Sequence, residues 1–111
     1  IGMGYHYRSR YENILFFEKG KRKLNDLSIP DILAYSRVYQ GYPTEKPVAI
    51  SETLILQSTQ PQELVVDPFL GSGSVAEAAI RNKRLFKGCD IKCNAVELAQ
   101  QRLISLAKEF I

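Results

Sequence analysis

The spacing of hydrophobic and polar positions changes along this chain, and the changes mark its elements. Asn13-Ile14-Leu15-Phe16-Phe17 is a short apolar, aromatic run ended by Gly20 and basic residues, which predicts a buried strand. Residues 21–43 keep no period. Pro30 and the polar spacing there predict an irregular connection, with a short helical turn at Asp31–Tyr35. From Thr44 the signals sharpen: Thr44 suits an N-cap, Pro47 is tolerated in a first turn, and Ile50, Leu54 and Ile55 supply an apolar face before Pro61 ends the helix. Leu64-Val65-Val66 lacks alternation, so it predicts a strand buried on both faces, as in a parallel sheet. Ser74 to Lys83 reads as a helix with Val75, Ala76, Ala79 and Ile80 on one side, and Leu85 to Ile91 as a second strand. Asn94 then caps a closing helix with the stripe Val96, Ala99, Leu103, Leu106 and Phe110. Strand, helix, strand, helix in that order predicts a right-handed parallel unit of the doubly wound, Rossmann-like α/β class, with helices flanking a mostly parallel sheet.

A length of 111 residues fits one small domain or a piece of one. The organisation expected is a strand and basic loop over residues 1–43, then a βαβα unit over 44–111, together one partial domain. Hydrophobic residues make up 45% and charged residues 24%, an ordinary balance for a soluble globular chain, and no apolar run is long enough to span a membrane. The start, on Ile1 rather than Met and without a basic region ahead of an apolar core, predicts neither a signal peptide nor a native N-terminus. Cys89 and Cys93 lie four apart, and a zinc site would need two further ligands while the sole histidine, His6, is remote. No metal is expected, and a reduced, cytoplasmic setting is.

Charge is unevenly placed. Arg8, Arg10, Lys19, Lys21, Arg22 and Lys23 stand against Glu12 and Glu18, so residues 1–23 carry +4 of a total of +3 and the remainder carries −1. Tyr5, Tyr7 and Tyr11 are interleaved with these cations, a pattern suited to a polyanion such as DNA; a solvated lysine-rich tip is the alternative.

The segment richest in chemistry is Val65-Val66-Asp67-Pro68-Phe69-Leu70-Gly71-Ser72-Gly73-Ser74. Glycines between a buried strand and a helix let a ligand approach the backbone, and the first helix N–H groups lack intrahelical partners. Gly71-x-Gly73-x-x-Ala76 fits a loose dinucleotide fingerprint. A phosphate-cradling P-loop is excluded, because no Gly-Lys-Ser/Thr follows. The third candidate ligand is S-adenosylmethionine (AdoMet), whose cationic methionine end suits Asp67, whereas a pyrophosphate beside Asp67 would be repelled. Asp90, 23 residues after Asp67, ends the second strand where a carboxylate takes ribose hydroxyls, unless it is a solvated turn residue. Ile91 suits either an adenine face or the core.

Asp67-Pro68-Phe69-Leu70-Gly71-Ser72-Gly73, preceded by Tyr42-Pro43-Thr44-Glu45-Lys46-Pro47, resembles the DNA amino-methyltransferases that modify adenine or cytosine exocyclic amines. In their permuted (β-type) group, His-Pro-Thr-Glu/Gln-Lys-Pro precedes Asp-Pro-Phe-x-Gly-Ser-Gly, as here, with Tyr42 in place of the histidine. Tyr11-Glu12-Asn13-Ile14-Leu15 is similar to the family's His-Glu-x-Ile-Leu strand. The resemblance implies AdoMet as cofactor and double-stranded DNA as partner. Thr44, Glu45 and Lys46 would lie beside the methionine part, Asp67, Phe69, Gly71, Ser72 and Gly73 would line the cofactor, and Asp90 would bind its ribose. It also implies a catalytic Asp/Asn/Ser-Pro-Pro-Tyr/Phe motif that grips the flipped base, and no Pro-Pro pair occurs in these 111 residues. The expectation is a cofactor-binding half of prokaryotic or phage type. Its front half would be missing or separately encoded, with a non-catalytic remnant or split-enzyme subunit as the alternative. Such a chain would expose a sheet edge and an apolar face, and would dimerise, swap elements or aggregate.

Overall fold

The computed structural model describes residues 12–35 and 47–110. Five elements follow in order: α1 (Val48–Ser58), β1 (Leu64–Asp67), α2 (Ser74–Arg81), β2 (Leu85–Gly88) and α3 (Cys93–Phe110). β1 and β2 pair in parallel, Leu64 opposite Leu85 and Asp67 opposite Gly88, with α2 as the crossover that a parallel pair requires. This is the α/β unit that the sequence predicts.

The core is built around small residues of α2. Ala78 and Ala79 are buried with Ile55 of α1, and Val65, Val75 and Phe86 pack against them. On the other side Ala76 and Leu70 are buried with Ala99 of α3, against Phe86, Val96 and Leu103. Phe86 thus joins both clusters. Alanine at these α2 positions lets helices approach closely without forfeiting helix propensity.

Because paired residues of a sheet share a face, Val65 and Phe86 point toward the helices while Leu64, Val66 and Leu85 point away. Val66 is 62% exposed, so β1 is not buried on both faces as its continuous apolar run predicts. A second helical layer would have to lie on that face, and none does among the described residues. The predicted strand at Asn13–Phe17 also fails to form: these residues pair with no strand among the described residues, and Phe17 is 84% exposed. A strand exists only through a neighbour's hydrogen bonds, which an apolar run alone cannot supply. The helical turn at Asp31–Tyr35 is likewise absent. β2 stops at Gly88, three residues short of the predicted Ile91. α1 buries Ser51 and Ile55, with Val48 partly buried, while Leu54 faces outward. Asn94 lies one residue inside α3 rather than ahead of it, its Oδ1 accepting the Ala95 N–H at 3.0 Å. The predicted cap Thr44 lies outside the described residues.

Two polar anchors hold the irregular segment and the helix ends. Asn25 Nδ2 donates to the carbonyls of Leu56 and Thr59 at 2.6 and 2.9 Å, satisfying the end of α1 from a distant part of the chain. Arg84, immediately before β2, is buried and donates to Thr59 Oγ1, Thr59 O and Asn82 O at 2.9, 2.8 and 2.7 Å.

Arg22 clasps Glu63 with two hydrogen bonds of 3.1 and 2.8 Å. These bonds first, and the Gln60 N–H second, bring the Glu63 carboxyl from its ordinary 4.5 down to about 2. A carboxyl depressed in the fold adds stability that is complete above about pH 4.5 and is lost as pH falls toward 2. The pair is exposed, so its contribution is modest and screened by salt. In an NMR titration, Arg22→Ala is expected to return the Glu63 midpoint toward 4.5 and to flatten the acid dependence of stability across that window. An unmoved midpoint would refute the pairing.

Candidate functional site

The carboxyl ends of the two parallel strands are stitched together by the loop that leaves β1. Asp67 O accepts the Cys89 N–H at 3.1 Å, Leu70 N–H donates to Cys89 O at 2.9 Å, and Gly73 N–H returns to Leu70 O at 3.0 Å. Asp67 Oδ1 accepts the Phe69 N–H at 2.9 Å, the local turn that an aspartate before proline favours. Asp90, just past β2, accepts the Gly71 N–H on Oδ2 at 2.9 Å and the Lys92 N–H on Oδ1 at 2.8 Å. Those backbone donors, Lys92 first and Gly71 second, hold the Asp90 carboxyl below its ordinary value, so it is ionised at neutral pH.

Two glycines shape the turn, for different reasons. Gly71 has φ +55°, and a Cβ there would meet only the Phe69 carbonyl at 3.9 Å, so its surroundings are open. Gly73 has φ +91°, and a Cβ there would lie 3.2 Å from Ala99 Cβ. The second glycine therefore serves the approach of α3. Two large apolar residues flank the carboxylates in water: Phe69 is 86% exposed and Ile91 is 98% exposed. Ile91 is therefore not the core residue that the sequence leaves open as an alternative.

The structure thus gathers Asp67, Phe69, Gly71, Ser72, Gly73, Asp90 and Ile91 at one end of the sheet, where ligands of open α/β folds bind. Thr44, Glu45 and Lys46 lie outside the described residues, as do Arg8 and Arg10. Lys19, Lys21 and Lys23 are exposed on the irregular segment, away from this turn in the chain, whereas Arg22 is committed to Glu63. Cys89 and Cys93 are exposed free thiols, and no group of three metal-ligating side chains occurs among the described residues. Among those residues no helix is long and apolar enough to cross a membrane.

Sequence reasoning missed two residues of this site. Arg102 on α3 donates from Nε to Glu77 Oε1 at 2.9 Å and from Nη1 to Ser72 O and Oγ at 3.2 and 3.4 Å. Glu77, in the first turn of α2, also pairs with Arg81 at 3.3 Å. The available signal was position: Arg102 stands three residues after Ala99, on the same side of its helix.

Comparison with known proteins agrees with this geometry. The DNA methylase family model matches residues 3–101. YubD of Escherichia coli strain K12 is 35% identical over 102 residues, covering 89% of this chain and 44% of that protein. The type II methyltransferase M.HhaII of Haemophilus parahaemolyticus is 35% identical over 95 residues, covering 82% and 42%. The crystal structure of an M1.HpyAVI–SAM complex superposes with a TM-score of 0.62 at 29% identity, over 74% of this chain and 43% of that one. The chain spans less than half the length of these relatives. With the family model matched across nearly all of its residues and the fold shared at detectable identity, the chain belongs to the DNA methylase family.

Proposed function

We propose that this chain forms the AdoMet-binding half of an enzyme that methylates the exocyclic amine of adenine or cytosine in DNA. The observation that carries this reading is the pair of carboxylates at the ends of β1 and β2, tied through the glycine turn by the bond from Gly71 N–H to Asp90 Oδ2. M1.HpyAVI, whose structure with SAM shares this fold, lends support.

The residues present fit AdoMet better than a dinucleotide. The backbone donors at Gly71 and Lys92 take one lone-pair site on each Asp90 oxygen, so the ionised carboxylate has capacity left with which it would accept ribose hydroxyls. Ile91 and Phe69 are exposed apolar surfaces beside it, suited to the faces of an adenine ring. Asp67 would face the cationic methionine end, with Thr44, Glu45 and Lys46 nearby as the family resemblance implies. The N–H groups at the start of α2 would meet the ligand's own carboxylate. When bound, AdoMet supplies an electrophilic methyl group on a sulfonium.

The task of this chain is then to orient that group and to keep water from it, since positioning supplies much of the rate in a direct transfer. Neither cysteine takes part as a nucleophile. The Pro-Pro-Tyr/Phe motif that would grip the base comes from outside these 111 residues, in the same polypeptide or a companion subunit. Lys19, Lys21 and Lys23, with Arg8 and Arg10, would add phosphate contacts on double-stranded DNA.

Calorimetric titration with AdoMet and, separately, NAD tests this reading. Binding of AdoMet alone is expected, with Asp67→Ala weakening it about tenfold, the loss of one favourable charge contact. Preference for NAD, or no AdoMet binding at millimolar concentration, would overturn it.

A further inference from the structure

We propose that Arg102 is a positioning residue, which holds the glycine turn in its ligand-binding shape by gripping Ser72. The inference rests on the AdoMet reading for its functional consequence, but its physical core is independent of any ligand.

Ser72 sits between two glycines of positive φ, the part of the loop least able to hold its own conformation. Its neighbours are fixed from the backbone, Gly71 by its N–H to Asp90 Oδ2 and Gly73 by its N–H to Leu70 O and its carbonyl, which accepts the Glu77 N–H. Ser72 itself is held by Arg102 Nη1, at its carbonyl and its hydroxyl. The guanidinium is aimed by Glu77, which takes its Nε and stands in the first turn of the helix that the loop leads into. One planar group thus joins the turn, α2 and α3. The contact point is the one where Gly73 lets α3 come close: a Gly73 Cβ would sit 3.2 Å from Ala99 Cβ and 4.0 Å from Arg102 Cδ.

The chemistry requires arginine. Nε and Nη1 are separate donors in a rigid plane, so one side chain can serve a carboxylate and a carbonyl at once. Lysine would keep the charge and the attraction to Glu77, but its single nitrogen cannot span both partners. Glu77 also offsets the positive charge beside the turn, so the clamp does not repel a sulfonium.

The test compares the wild-type chain with Arg102→Lys by amide hydrogen exchange without ligand, thermal unfolding and AdoMet calorimetry. The Gly71 and Gly73 amides report on the turn, and those of β1 report on the fold as a whole. In Arg102→Lys the two turn amides are expected to exchange roughly tenfold faster relative to β1, with a melting temperature close to wild type and AdoMet bound about tenfold more weakly. Arg102→Met should show the same pattern more strongly. If it unfolds, the lysine variant carries the decision. Unchanged turn exchange, or acceleration shared equally by β1, would overturn the proposal and leave Arg102 a general stabiliser. Faster turn exchange in a chain that never binds AdoMet would uphold the clamp and refute the cofactor reading instead.

Discussion

Gly73→Ala is expected to destabilise the chain by about 2–4 kcal/mol, the sum of left-handed backbone strain and crowding. At φ +91° and ψ 25° an alanine is strained before any neighbour is considered. Its methyl would then sit 3.2 Å from Ala99 Cβ, on a helix that cannot retreat without opening the cluster of Leu70, Ala76 and Ala99. Gly20→Ala is the matched control: φ there is +79°, but nothing lies within 4 Å of the new carbon, so a loss near 1 kcal/mol is expected from conformation alone. Urea unfolding of both variants separates the two terms. Equal losses would show that the approach of α3 to the turn is not tight.

Arg84→Met is the second large effect, about 2–4 kcal/mol from the loss of charge-assisted bonds at a buried position. The arginine gathers the end of α1, through Thr59, and the end of α2, through Asn82, immediately before β2. Methionine replaces the aliphatic stem, so the loss reports the head group rather than packing. Arg84→Lys is expected to recover less than half, because an ammonium cannot reach three oxygens held around a planar fork. A denaturant midpoint within error of wild type for Arg84→Met would refute the role.

Part of this was legible in the sequence, and the division has physical causes. The glycine turn, α2, α3 and the place of Asp67 follow from local rules: where a chain must turn, where a helix begins, and which residue ends a strand, whereas Asp90 lies two residues past β2 rather than at its end. The site residues those rules name do converge at one end of the sheet. Partners distant in the chain were not legible. Among the described residues, Ile14 to Phe17 have the composition of a strand and no strand beside them, and Val66 has the side chain of a buried residue on a face without a helix. No local pattern marks Arg84 or Arg102 in the sequence, because the oxygens they serve are brought to them only by the fold.

The open sheet face also shapes the thermodynamics of the chain. Leu64, Val66 and Leu85 already meet water in the folded state, as do Ile14 to Phe17. Unfolding therefore adds little apolar hydration at these positions, and hydration is what sets the heat-capacity increment. The increment per residue should fall below the usual 12–15 cal/mol/K or so. A smaller increment flattens the curve of free energy against temperature and moves its maximum to lower temperature, so cooling goes on stabilising the chain further below its melting point than a larger increment would allow.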